Sequence, residues 1–435
     1  MRSAVPDADA LPGSTGDHPA GTPRVIAHGH QRAEPLFGRA AVPFFTPGVI
    51  VLTALAIAGL AVMVYRFFAG LGAATNLNDQ YPWGIWIAVD VATGVALAAG
   101  GFTTGFLAHV LHRSRYEVVV RPALLTAMLG YTFVALAVFV DLGRYYNMWH
   151  VLLPSMWQGN SALFEVGMCV ACYLTVLYIE FVPVVTERFV GRVNLPGALA
   201  VLNRPLDGLL RILDRTLGKV ITVFILAGVV LSCAHQSSLG TLMVLAPTKL
   251  HPLWHTTILP LQFLLSAFAV GLSMVIFESL LASRSLRRPF EMEVLGSLAR
   301  LIPFLLTIYL AAKVIDLLDR GAWRYLLEPS TQSLSLWVEL TVGVVAPLGI
   351  LLSDRLRRAP GWLFGAAAMV VFGVVLNRVN VFLIGYQPLY ASGPYIPRWT
   401  EVMLTVGFIS LLMLLYRLAV FVFPVLPAEE GEGRA

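Results

Sequence analysis

A histidine, a glutamine and two serines interrupt an otherwise apolar run, ITVFILAGVVLSCAHQSSLGTLMVL, at Cys233–Gly240. His235 and Ser238 stand three apart and therefore on neighbouring positions of one helical face. A second group, VDLGRYYN, carries Asp141, Arg144 and Tyr145 at i, i+3 and i+4, so that a continuous helix would place all three together. Glu165 in SALFEVG and Asp90 in IAVDVAT add two carboxylates. Imidazole, carboxyl, phenol and hydroxyl groups at one depth can hydrogen-bond the two oxygens of a quinone and exchange its protons. The bland alternative is that Asp141 and Arg144 neutralise each other while the serines bond back to their own helix.

Such groups need elements to hold them, and the composition says which. The 435 residues are 57% hydrophobic and only 13% charged, with a mean hydropathy of +0.76. Soluble domains carry about a quarter charged residues, so this composition belongs to an all-α, polytopic membrane bundle. Ten runs reach the roughly 20 residues needed to cross a hydrocarbon core as a helix. They lie near 46–68, 84–111, 122–145, 162–185, 219–243, 258–283, 295–319, 333–353, 360–382 and 400–424. Residues 1–45, rich in Pro, Gly and charge, are expected to form a disordered tail, and 427–435 a short one. No apolar segment with a cleavage site precedes the first run, so a removable signal peptide is not expected.

Basic residues orient the bundle. The connectors after the second, fourth, sixth and eighth runs hold sixteen Lys and Arg, against Arg144, Lys249, Arg320, Arg324 and Arg398 on the others. The positive-inside rule then places the even-numbered connectors and both termini in the cytoplasm, within a cytoplasmic (inner) membrane. This topology accounts for the net charge of +5 without nucleic-acid binding. The odd-numbered connectors, among them YYNMWHVLLPSMWQGNS and GYQPLYASGPYIPRW, are rich in Trp, Tyr and Pro and suit the docking of a partner protein.

Charges inside hydrocarbon cost a few kcal/mol each, so each needs a function or a partner. Counting along the runs puts Asp90, Asp141, Glu165 and His235 in the periplasmic half, and His109, Glu180 and Glu278 toward the cytoplasm. Lys313 and Asp316, three apart, read as a neutralising pair. Only His109 and His235 lie within runs, at opposite depths, so they cannot share a haem, and no C-x-x-C-H motif is present. Cys169, Cys172 and Cys233 read as small buried side chains, with no metal site implied. A secondary transporter would also bury charges, but no inverted repeat is visible.

Taken in order, NDQYPWGIWIAVDVATGVALAAGGF, YEVVVRPALLTAMLGY, VDLGRYYNMWHVL, NSALFEVGMCVACY, HQSSLGTLM, KLHPLW, MVIFES and PRWTEVMLTVGF resemble the NrfD/polysulfide reductase membrane-subunit family. Within it the chain looks most like the quinone-reactive subunits of membrane-bound nickel-iron hydrogenases. The resemblance implies a menaquinone-binding protein with neither haem nor metal, non-catalytic by itself. Its partners would be a periplasmic iron-sulfur electron-transfer subunit and, through it, a nickel-iron hydrogenase or a related reductase of sulfur or nitrogen compounds. Carried over residue by residue, it implies proton transfer by Glu165, Asp141 and Glu278. It further implies a quinone held by His235, Gln236, Ser238, Tyr145, Arg144 and Asp90.

Overall fold

Ten helices long and apolar enough to cross a membrane are found among the residues that the computed structural model describes, 37–38, 42–391 and 393–427. They are Pro47–Ala69, Trp86–Val110, Ser114–Asp141, Ala162–Phe189, Leu199–Val244, Leu259–Leu286, Met292–Asp319, Thr331–Leu352, Pro360–Ile384 and Trp399–Val422, here called the first to tenth spans. The expected tails lie almost wholly outside the described residues. Helix starts follow local chemistry: Thr46 Oγ1 accepts the Val49 N–H at 3.4 Å with Pro47 behind it, and Ser161 Oγ accepts the Phe164 N–H at 3.3 Å.

Contacts arrange the spans as two closed four-helix rings, the second to fifth and the sixth to ninth, joined where the second and fifth meet the sixth. The first and tenth spans pair with each other and lie against the third. Their crossing depends on glycine: a Cβ on Gly59 would stand 2.6 Å from Gly407 Cα. Close backbone approach of this kind replaces hydrophobic association, which lipid does not drive.

Two bounds differ from the sequence reading in a way that matters. The third helix stops at Asp141, where Leu142 turns to φ −63° and ψ 123°, and a separate 3₁₀ segment begins at Tyr145. The fifth is a continuous helix of 42 residues, Asn203–Val244, and at 1.5 Å per residue its length of roughly 63 Å is twice the hydrocarbon core. Its outlying part is polar on one side: Asp207 pairs with Arg211 at 2.8 Å and accepts the Gly191 N–H at 2.5 Å. Cys172 is exposed on the outside of the bundle rather than buried.

Phe37–Gly38 and Leu426–Pro427 form an antiparallel pair of two-residue strands, so the described chain enters and leaves the bundle on one face. Even-numbered connectors share that face. Arg121 donates to the Pro424 carbonyl at 2.9 Å, Arg188 to that of Val422 at 3.2 Å, and Arg288 to that of Pro427. On the opposite face the odd-numbered connectors knit into a cap. His251 N–H donates to Gly385 O at 2.7 Å, Gln387 N–H to Lys249 O at 2.6 Å, and Tyr81 OH to Gly393 O at 2.7 Å.

Candidate functional site

Four spans deliver carboxylates and one arginine beneath this cap. The second span opens as a π-helix, Trp86–Thr93, whose wider turn carries Asp90, and Thr405 Oγ1 of the tenth span donates to Asp90 Oδ2 at 2.7 Å. Such π segments recur at functional sites because the extra residue redirects side chains. Asp141 is the last residue of its helix, so the carbonyls around it lack intrahelical donors. Arg66 of the first span supplies them: Nε donates to Val140 O at 2.5 Å and Nη2 to Leu142 O at 2.6 Å. Only 2% of Arg66 is exposed, and its guanidinium lies 4.9 Å from the Phe67 ring centre and 5.1 Å from that of Tyr145.

Arg66, Asp90 and Glu401 are all within electrostatic reach of Asp141. Glu401 is occupied: it accepts the N–H groups of Asn76 and Arg398, each at 2.9 Å, and the Tyr395 hydroxyl. Asp141 is not, since its Oδ1 is buried without any hydrogen-bond partner. The ring of Tyr145 stands edge-on to Phe67 at 4.7 Å and to Phe139 at 5.5 Å, an aromatic cluster that meets the same Arg66 guanidinium.

Arg144 is exposed and lies beyond the helix end, so it does not share a helical face with Asp141. The expected i, i+3 pair fails because the helix ends between its members. Sequence reading missed Arg66 although a charge in VMVYRFFAG was visible, and it missed Glu401 within PRWTEVML. Glu165 sits in the first turn of the fourth span, where the helix dipole favours a carboxylate, and is exposed.

His235, Gln236 and Ser238 are buried, but not at the depth of Asp141. The His235 ring packs 5.5 Å from that of Tyr131, which precedes Asp141 by ten residues, or about 15 Å of helix. Gln236 Nε2 donates to Val95 O at 2.9 Å, again inward of Asp90 on the second span. The single polar level expected from the sequence is therefore two. His109 lies fourteen residues further along the second span than Val95, about 21 Å, so the two histidines cannot reach one iron. Glu278 forms a third group, near the even-connector face, beside Thr126 and Tyr416. Among the described residues, no three His, Cys, Asp or Glu side chains are placed to hold a metal ion.

The second ring holds a different network. Glu339, 1% exposed, receives five donors: Lys313 at 2.9 Å, Asn377 at 2.9 Å, Asn380 at 2.7 Å, Tyr309 at 3.3 Å and Trp254 at 3.5 Å. Lys313 thus pairs with Glu339 and not with Asp316, which is held by Arg320 at 2.6 Å and Thr256 at 2.5 Å. So many donors on one carboxyl group make it a structural tie between the seventh, eighth and ninth spans.

A model of the family described as "Polysulphide reductase, NrfD" matches residues 73–389. The chain is 38% identical over 391 residues to a protein of Nitratidesulfovibrio vulgaris, covering 88% of this chain and 95% of that one. It is 32% identical over 382 residues to the "Probable Ni/Fe-hydrogenase 2 b-type cytochrome subunit" of Escherichia coli, covering 87% and 92%. It is also 28% identical over 400 residues to the "Menaquinone reductase, integral membrane subunit" of N. vulgaris, covering 85% and 89%. Ten membrane-spanning helices and a family match across most of their length make this chain a multi-pass integral membrane protein of the polysulphide reductase NrfD family.

Proposed function

We propose that the chain is the membrane electron-transfer subunit of an oxidoreductase complex and that it exchanges electrons and protons with menaquinone beneath the odd-connector cap. One observation carries this reading: Asp141 Oδ1 is buried and unpartnered, and the Arg66 guanidinium in its neighbourhood lies against the Phe67 and Tyr145 rings. An apolar aromatic wall with one free acid fits a naphthoquinone and its oxygen. When bound, menaquinone supplies a carbonyl couple that takes two electrons and two protons.

The chain's own residues do the rest. Asp141 holds or releases a proton at Oδ1; Arg66 fixes the helix end that positions it, the part that spacing alone gave to Arg144. Tyr145 offers its ring to the quinone face, and Asp90, anchored by Thr405, is a second carboxylate within reach for the second proton. His235, Gln236 and Ser238 lie too deep to touch the same oxygens and are assigned to proton movement rather than to quinone contact. The chain carries no haem in this reading, because its two intramembrane histidines stand far apart, and electrons arrive from a redox centre on a partner.

That partner is an iron-sulfur subunit on the odd-connector face, where Trp149 and Trp157 are exposed. The catalytic subunit behind it is a nickel-iron hydrogenase, as the name of the E. coli relative favours. A reductase of another substrate is the second reading, favoured by 24% identity to a selenate reductase subunit of Mesobacillus selenatarsenatis. Nickel analysis of the purified complex separates the two. The test of the quinone site is Asp141→Asn in that complex: menaquinone reduction should fall by about 10²-fold, the usual worth of a positioned proton donor, while reduction of a soluble dye by the catalytic partner stays constant. Unchanged menaquinone turnover would overturn the site.

A further inference from the structure

The centre of the first ring concentrates buried polar atoms that are short of protein partners. Both ring nitrogens of His235 and Gln236 Oε1 are buried and unpaired, and the buried hydroxyls of Tyr131, Tyr173 and Ser232 have at most one another. They come from the third, fourth and fifth spans and lie together. The Tyr131 and Tyr173 rings are 4.6 Å apart, Tyr131 and His235 are 5.5 Å apart, and Ser232 stands beside both phenols. Leaving such groups unsatisfied costs about 1–3 kcal/mol each, and buried water is the usual remedy.

The cluster continues toward the even-connector face. Gln236, Ser232 and Gly228 are spaced by four on one side of the fifth span, a stripe of about 12 Å. Tyr173 and Glu180, two turns apart on the fourth span, border the same stripe, and a cavity of ≈ 10 Å³ is lined by Gly101, Gly105, Tyr173, Glu180 and Gly228. That is space for about one water molecule. Gly228 keeps it open: a Cβ there would stand 2.8 Å from Glu180 Oε1 and 3.5 Å from Tyr173 Cε2. Cys169 and Cys233 are the other titratable groups near the phenols.

We propose that a file of buried water runs from His235 past Tyr131, Ser232 and Tyr173, through the gap at Gly228, to Glu180, and conducts protons between the middle of the bundle and the even-connector face. Each hop passes one proton to the next oxygen and takes one from the oxygen behind, so the file is restored after every transfer. Its use rests on the quinone reading: two electrons from the redox partner and two protons drawn through Glu180 would reduce one quinone, making the reaction charge-separating. The file itself does not depend on that reading.

Hydroxyl-radical footprinting by X-ray pulses, on the purified complex without added quinone, tests it, because radicals formed from bound water label the side chains beside it. Tyr131 and Tyr173 should be labelled in the native complex and should lose that label in Gly228→Ala, with the connectors labelled as before. No label on either tyrosine, or equal label in Gly228→Ala, overturns the file. In vesicles driven by reduced methyl viologen with a short-chain menaquinone as acceptor, Glu180→Gln, which adds no bulk, should abolish proton uptake from the even-connector side, and Glu180→Asp should retain it. Unaltered uptake in Glu180→Gln likewise overturns the proposal. A gated label together with normal menaquinone turnover in Asp141→Asn would instead remove the quinone site and leave the file standing.

Discussion

Arg66 and Arg144 show how far two arginines of one chain can differ in worth. Arg66 closes a helix end inside the bundle, and replacing it strands two carbonyls and the neighbouring Asp141. Arg66→Gln is expected to lower the stability of the detergent-purified protein by about 2–4 kcal/mol, each buried unsatisfied acceptor costing about 1–3 kcal/mol. Arg144→Gln, at an exposed position, should stay within about 0.5 kcal/mol in the same thermal unfolding measurement. His251 gives a pH prediction of known sign. Burial holds its imidazole below the ordinary 6.5, and Nδ1 accepts the Leu253 N–H at 3.2 Å, which only the neutral ring can do. The folded state therefore binds fewer protons than the unfolded one, and its stability is fully present above 6.5 and declines as pH falls toward the folded value. The unfolding temperature should drop on acidification from about pH 7 to about pH 5, by less in His251→Gln.

At the scale of elements, tying helices together is a matter of close backbones and buried charge. The Lys313–Glu339 pair, 2% and 1% exposed, joins the seventh and eighth spans at 2.9 Å. Lys313→Met alone leaves an unpaired buried carboxylate and should cost about 3–5 kcal/mol, whereas Lys313→Met with Glu339→Leu should recover much of the loss. A double variant no more stable than the single one in thermal unfolding would show that the pair is more than a neutralised charge. The contact between the first and tenth spans is steric instead. Gly59→Ala places a methyl 2.6 Å from Gly407 Cα, and since backbone cannot yield as a side chain does, the two helices must separate. Overpacking typically costs about 1–3 kcal/mol, and it should appear as weakened retention of the first span after limited proteolysis.

For the whole molecule, the strand pair at the chain ends and the arginines reaching Val422, Pro424 and Pro427 put every even-numbered connector described by those contacts on one face with the ends of the bundle. We propose from the positive-inside rule that this face is cytoplasmic. Single cysteines introduced as Ser353→Cys and Ser155→Cys check it: an impermeant maleimide should label the first only in inverted vesicles and the second in intact cells. The reverse pattern would invert the bundle. Span existence and bounds were legible in the residues, to within a few positions for most spans, because a helix in lipid must satisfy its own backbone and show apolar side chains along its whole length. Whether a helix meant to run past Asp141 stops there, and which cation then meets it, is not a local property. Neither pair inferred from i, i+3 spacing forms as read: the third helix ends at Asp141, where Arg66 of the first span holds the flanking carbonyls, and Lys313 pairs with Glu339 of the eighth. His235 likewise left the level of Asp141 because depth along the fifth span depends on where that 42-residue helix docks. Sequence alone determined the ten spans and the set of polar residues carried into the membrane. Tertiary structure decided which of those residues meet, since in a medium without water a buried charge takes the nearest partner in space, whatever its distance along the chain.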